Sequence, residues 1–417
     1  MTTTFTLPIQ PVPAGPLTAW LSEDHSIPVV SLAWSWPGGA AQDAAGAEGT
    51  MAMAAAMLSE GAGGLDATAF QDALRDRAID LSFSAGRDSF EGSIRCLADA
   101  LPEAIRLARL AMTAPRFDAD AVSRVRARAI AAARQALETP RGQAGRAFWA
   151  AAFPGHPAGR PTSGTAESLA TVTPDGMRAA LAAQLRREGV LVAAAGAISP
   201  AALATVLAEL LGPLPAGAPA EPPPLPAFTA FGRRVVTIAS PQSQLVLGQG
   251  GIAATHPDWE AAQVVLRTLG GGGFSSRLMQ AVRVERGLTY GIYAGLESLF
   301  GGGIISCAFA TENARVPEAL EVTRHVWSDF AASGPTEAEL DESVAYLTGS
   351  LPLQFTDSRR IAGTLLAMRR NDRPIDWLDG RTDRLRAITR DKAAQVAAAL
   401  LKPDDLAVLV AGQPEGL

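Results

Sequence analysis

The sequence predicts an α+β protein made of two similar halves, and three observations lead to that fold class. The chain has 417 residues, more than the roughly 100 to 200 residues of an ordinary domain, so at least two domains are expected. Residues 213–228, at the midpoint, contain seven prolines and predict an extended linker. The sequences on either side of this linker repeat each other.

The repeat is seen when the sequence is shifted by 209 residues. The shift places Gly61 on Gly270, Gly63 on Gly272, Gly64 on Gly273 and, after a two-residue insertion, Cys96 on Cys307. Both halves have an early strand (29–34 and 244–249), a helix that runs into the glycines, further strands and long alanine-rich helices. This order is typical of helices packed on one face of a sheet. We therefore expect homologous domains over 1–212 and 229–417.

Composition and charge exclude several classes of function. Hydrophobic residues make up 48% of the chain and charged residues 19%, which indicates an ordered globular protein. The formal net charge of −6 disfavours binding to nucleic acid or to anionic lipid. Cys96 and Cys307 lack the CxxC spacing of zinc or redox sites, so we interpret both as buried apolar residues.

Targeting signals are weak in this sequence. The first Lys or Arg is Arg75, and prolines interrupt the start of the chain, so no secretory signal is predicted. This pattern indicates a cytoplasmic protein, or a periplasmic one if the start has been trimmed. The apolar stretch 189–208 is long enough to span a membrane, but Ser199 and Pro200 interrupt it. We interpret it as a buried strand followed by a helix capped by Ser199.

Familiar catalytic motifs are missing. The four histidines, at 25, 156, 256 and 325, are too scattered to form the paired ligands of an HExxH zinc helix. There is no GxSxG elbow, and the run "GGGGF" at 270–274 lacks the Gly-Lys-Ser/Thr of a phosphate-binding loop. These glycines indicate close backbone packing or the approach of a substrate.

The stretch "GGGFSSRLMQAVRVERGLTYGIYAG" at 271–295 has the most distinctive pattern. It predicts a helix that Ser275 or Ser276 caps and that Gly287 ends in the left-handed conformation. A strand should follow at once.

Alternation along that strand places Leu288, Tyr290 and Ile292 on one face, which brings Tyr290 near Arg283. An arginine and a tyrosine held together can bind a peptide carbonyl and stabilise an oxyanion. From the residues alone, a salt-bridged surface arginine and a half-buried tyrosine are the favoured interpretation.

The same stretch closely resembles the C-terminal-half signature of the M16 (pitrilysin, mitochondrial-processing-peptidase-like) metallopeptidases, in their short bacterial M16B branch. "FPGHPAGRPTSGTAESLATVTPDGMRA" and "PTEAELDESVAYLTGSLPLQFTDSRRIAGTLL" also resemble family segments. The resemblance implies a LuxS/MPP-like fold, whose two halves enclose a chamber. It further implies that Arg283 and Tyr290 bind substrate and stabilise the tetrahedral intermediate, with Gly271, Gly272 and Gly273 beside the substrate.

The N-terminal half departs from the family pattern at "GTMAMAAAMLSEGAGG", residues 49–64. Zinc-binding members carry HxxEH on this helix and a second glutamate on a later one. Here Ala52, Ala55 and Ala56 stand at the HxxEH positions, and residues 121–137 contain no acid. We therefore expect this chain to bind no metal.

The resemblance implies a function for such a chain. Two-chain members divide the work between a subunit with HxxEH and a subunit with the Arg/Tyr pair, and this chain resembles the second. It predicts a protein that is inactive alone and that joins an HxxEH subunit, which carries the zinc, in a heterodimeric endopeptidase acting on peptides. Two alternatives stay open: a catalytically inert scaffold with this fold, and a protein that binds peptides without cleaving them.

Overall fold

The computed structural model describes residues 6–417, which form two compact units, each built on one β-sheet. Unit 1 comprises residues 6–133, 161–223 and 351–379. Unit 2 comprises residues 134–160, 224–350 and 380–417. The α+β fold class is confirmed.

The strands are β1 Gln10–Ala14, β2 Leu17–Glu23, β3 Val29–Pro37, β4 Asp80–Ala85, β5 Ser89–Leu97, β6 Leu191–Gly196, β7 Arg233–Thr237, β8 Gln242–Gly250, β9 Ile292–Leu299, β10 Gly302–Glu312 and β11 Ala407–Gly412. The helices are α1 Thr50–Met57, α2 Ala67–Asp76, α3 Leu101–Thr113, α4 Ala119–Leu137, α5 Pro140–Ala152, α6 Ala166–Thr171, α7 Pro174–Gln184, α8 Pro200–Leu211, α9 Trp259–Leu266, α10 Val316–Ser333, α11 Glu337–Gly349, α12 Ser358–Arg370, α13 Arg381–Arg386 and α14 Arg390–Leu400. Two further segments, Arg267–Gly271 and Met279–Val284, are π-helical.

The two sheets share one topology. The strand order is β1-β2-β6-β3-β5-β4 in unit 1 and β7-β11-β8-β10-β9 in unit 2. In unit 1 the central strand β3 is antiparallel to β5 and β6, and β2 is parallel to β6. In unit 2 the central strand β8 is antiparallel to β10 and β11, and β7 is parallel to β11. The last five strands of the first sheet thus match the second sheet in order and direction, and β1 is an additional edge strand.

The helices that precede the glycines also match. A shift of 209 residues carries α1 (Thr50–Met57) onto α9 (Trp259–Leu266), so the two helices begin and end at related positions. The backbone then diverges, because α9 continues into a π-helical turn while α1 ends in a hydrogen-bonded turn.

The compact units differ from the continuous halves 1–212 and 229–417, because two segments are exchanged. Helix α12 lies in unit 1, where its Leu365 and Leu366 belong to one buried cluster with Ala33 of β3 and Ala193 of β6. Helix α5 lies in unit 2 and packs on β8 and β11. Each exchanged helix covers a sheet face that would otherwise expose apolar side chains to water, which explains the exchange.

The core of unit 1 fixes the central strand from its other face. Side chains alternate along β3, so Leu32, Trp34 and Trp36 point into the main core and are at most 1% exposed. Gly92 on the paired strand β5 makes room for the indole, since a Cβ there would lie 2.3 Å from Trp34. This close approach holds β3, and with it the start of the following loop, in a rigid layer.

The apolar stretch at 189–208 forms β6 and the start of α8, as the sequence indicates, and Ser199 Oγ accepts a hydrogen bond from the Ala202 N–H at 3.3 Å. Across residues 6–417, no helix combines the length and the apolarity that crossing a bilayer requires.

Candidate functional site

Helix α1, which the resemblance predicts to be the degenerate metal-binding helix, is held by a buried carboxylate. Gly49 has φ +89° and stands just before the helix. Asp43 accepts hydrogen bonds from the N–H groups of Gly49 at 2.8 Å and Met51 at 2.9 Å. These bonds satisfy donors that a helix start otherwise leaves open. Sequence reasoning missed Asp43 because it lies six residues before Gly49, outside any capping motif.

The three alanines that the sequence predicts at the HxxEH positions lie on a packed helix. Ala55 is 2% exposed, and Ala52 and Ala56 are half-buried. On the same helix Met51 and Met57 are fully buried. A methyl group offers no lone pair to a metal, so the residues present do not fit a zinc site. Within the part of the chain that the structure describes, no three His, Cys, Asp or Glu side chains are grouped to hold a metal ion.

Glu60, the carboxylate that follows α1, is paired with arginines of α4. Glu60 forms ion pairs with Arg124 at 2.7 Å and with Arg128 at 3.8 Å. The hydrogen bond from Arg124 to Glu60 raises the pKa of that guanidinium above its usual value. The pairing therefore leaves a neutralised surface at the end of α1.

We call residues 267–290 of unit 2 the glycine corner. It starts with the π-helical turn Arg267–Gly271, continues through the glycines and re-enters a helix that is π-helical over Met279–Val284. π-helical turns are rare and are frequently found at functional sites. Both π-helical segments in residues 6–417 lie in this one corner.

The ends of its second helix agree only partly with the sequence prediction. Gly287 has φ +60°, and its N–H donates to the Arg283 carbonyl at 2.9 Å, so the predicted left-handed end is confirmed. The predicted caps are wrong, because both hydroxyls donate to carbonyls instead: Ser275 to Gly272 at 3.1 Å and Ser276 to Gly273 at 2.8 Å. The serines tie down the glycine segment rather than the helix.

The prediction that Tyr290 shares a strand face with Leu288 and Ile292 is wrong. Leu288 and Ile292 are 3% and 2% exposed, whereas Tyr290 is 86% exposed. The alternation of a strand does not apply here, because β9 begins only at Ile292. Thr289 closes a local turn: its hydroxyl accepts a hydrogen bond from the Gly291 N–H at 3.2 Å and donates one to the Gly291 carbonyl at 3.0 Å. The turn directs the phenol ring of Tyr290 into solvent.

Arg283 is held by an aromatic ring rather than by an acid. Its guanidinium lies over the ring of Phe274, 4.5 Å from the centroid. Phe274 is itself 61% exposed. Within residues 6–417, no hydrogen bond or ion pair joins Arg283 to Tyr290 or to a carboxylate. The structure therefore presents the two side chains separately, each with free hydrogen-bonding capacity.

The glycines leave space beside these side chains. Gly271 and Gly272 are half-buried, and Gly273 is exposed with φ +61°. A Cβ at Gly273 would meet no atom within 4 Å. The glycine at this position is explained by its backbone conformation, and the open space would admit a ligand backbone.

A neighbouring arginine anchors the corner. Arg277 donates to both oxygens of Glu339 at 2.7 Å, and its guanidinium lies 4.7 Å from the ring centroid of Phe330. Burial raises the pKa of the Glu339 carboxyl, but hydrogen bonds from Arg277 and from the Thr336 N–H outweigh it, so that this pKa lies below its ordinary value. The ion pair fastens the second helix of the corner to α11.

Comparison with known proteins agrees with this description. Residues 171–347 match the family model of the peptidase M16 inactive domain. The structure of a peptidase M16 inactive domain from Pseudomonas fluorescens aligns with a TM-score of 0.92 at 26% identity, over 98% of both chains.

Two sequence relatives illustrate the range of the family. A non-peptidase homologue of Helicobacter pylori is 24% identical over 337 residues, which are 80% of this chain and 77% of that protein. An uncharacterised zinc protease of Mycobacterium tuberculosis is 33% identical over 214 residues, which are 51% of this chain and 49% of that protein. The chain thus spans about half the length of the mycobacterial relatives that it matches.

Fold and comparisons together define an α+β protein that resembles peptidases, and Ala52, Ala55 and Ala56 stand where the sequence predicts the HxxEH positions. The chain is similar to the peptidase M16 family, and in particular to members described as inactive or as non-peptidase homologues.

Proposed function

We propose that this chain is the non-zinc-binding subunit of a heterodimeric M16 endopeptidase, whose partner carries HxxEH and the zinc. One contrast carries the proposal. The expected metal-binding positions Ala52, Ala55 and Ala56 have no ligand atoms, while Arg283 and Tyr290 keep their polar groups, with Arg283 half-buried and Tyr290 86% exposed. A chain that served only as a scaffold would have no use for an exposed phenol and an unpaired guanidinium at these positions.

The two side chains have different tasks in this proposal. The Tyr290 hydroxyl donates a hydrogen bond to the oxyanion that develops on the scissile carbonyl. Arg283 binds a peptide carbonyl and holds the substrate in register, with Phe274 fixing the guanidinium plane. The partner's zinc would supply the activated water, so this chain needs no metal of its own.

The exposure of Tyr290 supports the proposal that the site of this chain is incomplete without a partner. Tyr290 is 86% exposed, and in water its hydroxyl gains little by donating to an oxyanion, because solvent competes for both groups. Enclosure by a second subunit and a bound peptide removes that competition. The proposal therefore predicts that the site becomes effective only in the complex.

The direct test mixes this chain with an HxxEH-bearing M16 subunit and follows cleavage of a quenched fluorescent peptide. We expect activity from the mixture and none from this chain alone. A mixture whose partner has glutamine in place of the HxxEH glutamate is the control and should be inactive. Activity of this chain alone, or a mixture that elutes as one complex and does not exceed the partner's own activity, would contradict the proposal.

Metal content is a second test. We expect no stoichiometric zinc on this chain after dialysis, because alanine occupies the ligand positions. The complex should carry zinc in proportion to the partner alone. One equivalent of tightly bound zinc on the isolated chain would contradict the assignment.

The second candidate function is peptide binding or scaffolding without cleavage. The Helicobacter pylori relative named as a non-peptidase homologue favours it. In that case the chain would bind a partner or peptides, and replacing Tyr290 would leave every measurable activity unchanged.

A further inference from the structure

We propose that Arg267, the first residue of the glycine corner, and Tyr346 of α11 form a binding site for a carboxylate of a peptide. This chain then selects acidic peptide segments. The inference rests on the proposed function, because that function makes the ligand a peptide. It goes beyond the Arg283/Tyr290 pair, because it assigns specificity for a charged side chain to a different arginine.

The first observation is the stacking of Arg267 on an aromatic ring. Its guanidinium carbon lies 3.5 Å from the ring centroid of Tyr346, which is 54% exposed. A guanidinium stacked on a ring keeps its planar edge free, and that edge matches the two oxygens of a carboxylate. Stacking fixes the plane in advance, which lowers the entropy lost when a ligand binds.

The second observation is that no acid of the chain fills the site. Within residues 6–417, no carboxylate forms an ion pair with Arg267, although α11 carries several acids. Glu339 on that helix is bound by Arg277, and Asp341 and Glu342 form no ion pair with Arg267. The buried Arg267 Nε has no hydrogen-bond partner. The charge of Arg267 is therefore not balanced by a carboxylate of the described residues.

The third observation is rigidity. Thr268, the next residue, donates to the Val264 carbonyl at 3.1 Å and lies 2.9 Å, hydroxyl to hydroxyl, from Ser343 of α11. Both groups are buried, so the π-helical turn that bears Arg267 is fastened to the helix that bears Tyr346. A preorganised pair discriminates between ligands better than two mobile side chains do.

The fourth observation is proximity to the proposed substrate path. The Arg267 carbonyl lies 2.9 Å from the point where a Cβ of Gly272 would stand, so the arginine backbone touches the open glycine segment. Arg283 and Phe274 form a similar stacked pair beyond these glycines. In the proposed arrangement, a peptide bound along the glycines places a backbone carbonyl at Arg283 and an acidic side chain at Arg267.

The test measures binding by the full chain with fluorescence anisotropy. The probes are labelled peptides of Gly, Ser and Ala that carry one glutamate, each matched with the same peptide carrying glutamine. We expect one glutamate position to bind roughly 10-fold more tightly than its glutamine match, as for a charge-assisted hydrogen bond, with a ratio that falls as salt rises. Arg267→Gln should bring the ratio to about 1 and leave the affinity for the glutamine peptide unchanged.

Three variants separate this site from general charge and from folding. Arg324 is an exposed arginine of α10 that forms no ion pair with any residue of 6–417, and Arg324→Gln should keep the ratio. Tyr346→Phe keeps the ring and should keep the ratio, whereas Tyr346→Ser should lower it. No glutamate preference in the wild type, or a preference that survives in Arg267→Gln, would overturn the inference. Cleavage of the glutamine peptides by the mixed subunits tests the proposed function independently of either outcome.

Discussion

Helix α1 of unit 1 and the glycine corner of unit 2, which directly follows the related helix α9, have opposite surfaces. On α1, Met51 and Met57 are fully buried and Ala55 is 2% exposed. In the corner, Phe274 is 61% and Tyr290 86% exposed. The first region is packed with apolar side chains, while the second exposes aromatic rings that the folded state does not need. The proposed function accounts for this difference by the loss of a metal site on α1 and the retention of a substrate site in the corner.

In both regions, the residues that anchor the backbone are different from the residues at the expected functional positions. Asp43 holds the start of α1, and the Arg277–Glu339 pair holds the corner, but neither lies at the positions proposed to act on substrate. Replacing an anchor should therefore change stability. Replacing Arg283 or Tyr290 should change activity with little effect on stability.

The largest effect on stability is expected at Ala55, where Ala55→Glu would bury a carboxylate on a packed helix. We expect a loss of about 3 kcal/mol or more in the free energy of unfolding, measured by urea denaturation. Ala52→Glu, on the half-buried side of the same helix, should cost below about 1 kcal/mol. Equal losses for the two variants would show that α1 is not packed as described. Ala55→Glu should restore no activity, because no ligand for zinc accompanies it.

The next effect is expected at Asp43. Asp43→Ala leaves the N–H groups of Gly49 and Met51 without their partner in a buried place, at a cost of about 2 kcal/mol. Asp66→Ala is the control, because Asp66 caps α2 through Ala69 at an exposed site and should cost about 1 kcal/mol or less. Urea denaturation of both variants decides the order, and an effect at Asp66 larger than at Asp43 would contradict it.

A smaller effect, which depends on pH, is expected in the anchor of the glycine corner. Glu339→Gln should cost about 1 kcal/mol near neutral pH. Because the pKa of Glu339 is lowered from its ordinary value of 4.5 in the folded state, its contribution is present above that value and is lost as pH falls through the lowered folded pKa. The difference in urea midpoint between wild type and variant should therefore shrink in acid. A difference that grows in acid would contradict the sign.

The smallest effect on stability is expected at Tyr290. Tyr290→Phe removes only an exposed hydroxyl, so the free energy of unfolding should change by less than about 0.5 kcal/mol. Tyr293→Phe, at a second exposed tyrosine of unit 2 in β9, should behave alike. A loss above 1 kcal/mol for Tyr290→Phe alone would mean that the hydroxyl is structural and would weaken the contrast between the two regions.

The sequence predicted the fold class and several local features correctly, because these depend on short-range patterns. The helix into each glycine cluster, the break at Ser199 and the left-handed Gly287 follow from periodicity and cap chemistry. The exchanged helices α5 and α12 could not be predicted, since any amphipathic helix can cover any apolar sheet face. No pattern in the sequence assigns them to the other unit.

The site was predicted by residue type but not by geometry. Tyr290 lies outside the strand whose alternation was used to orient it, because Thr289 closes a turn of its own. The stacking of Arg283 on Phe274 and of Arg267 on Tyr346 joins residues 9 and 79 positions apart, and no spacing rule predicts such pairs. Asp43 was missed for the same reason, since its role depends on a loop conformation.

The central claim, that this chain completes a partner's active site, is tested most directly by steady-state cleavage with the mixed subunits and the variants Tyr290→Phe and Arg283→Ala. Size-exclusion chromatography confirms that each complex forms. We expect Tyr290→Phe to lower kcat by roughly 10² to 10³, and Arg283→Ala to lower turnover with a larger share of the loss in KM. Tyr293→Phe should change neither constant. Unchanged kcat and KM in an intact complex of the Tyr290→Phe, Arg283→Ala double variant would contradict the shared active site.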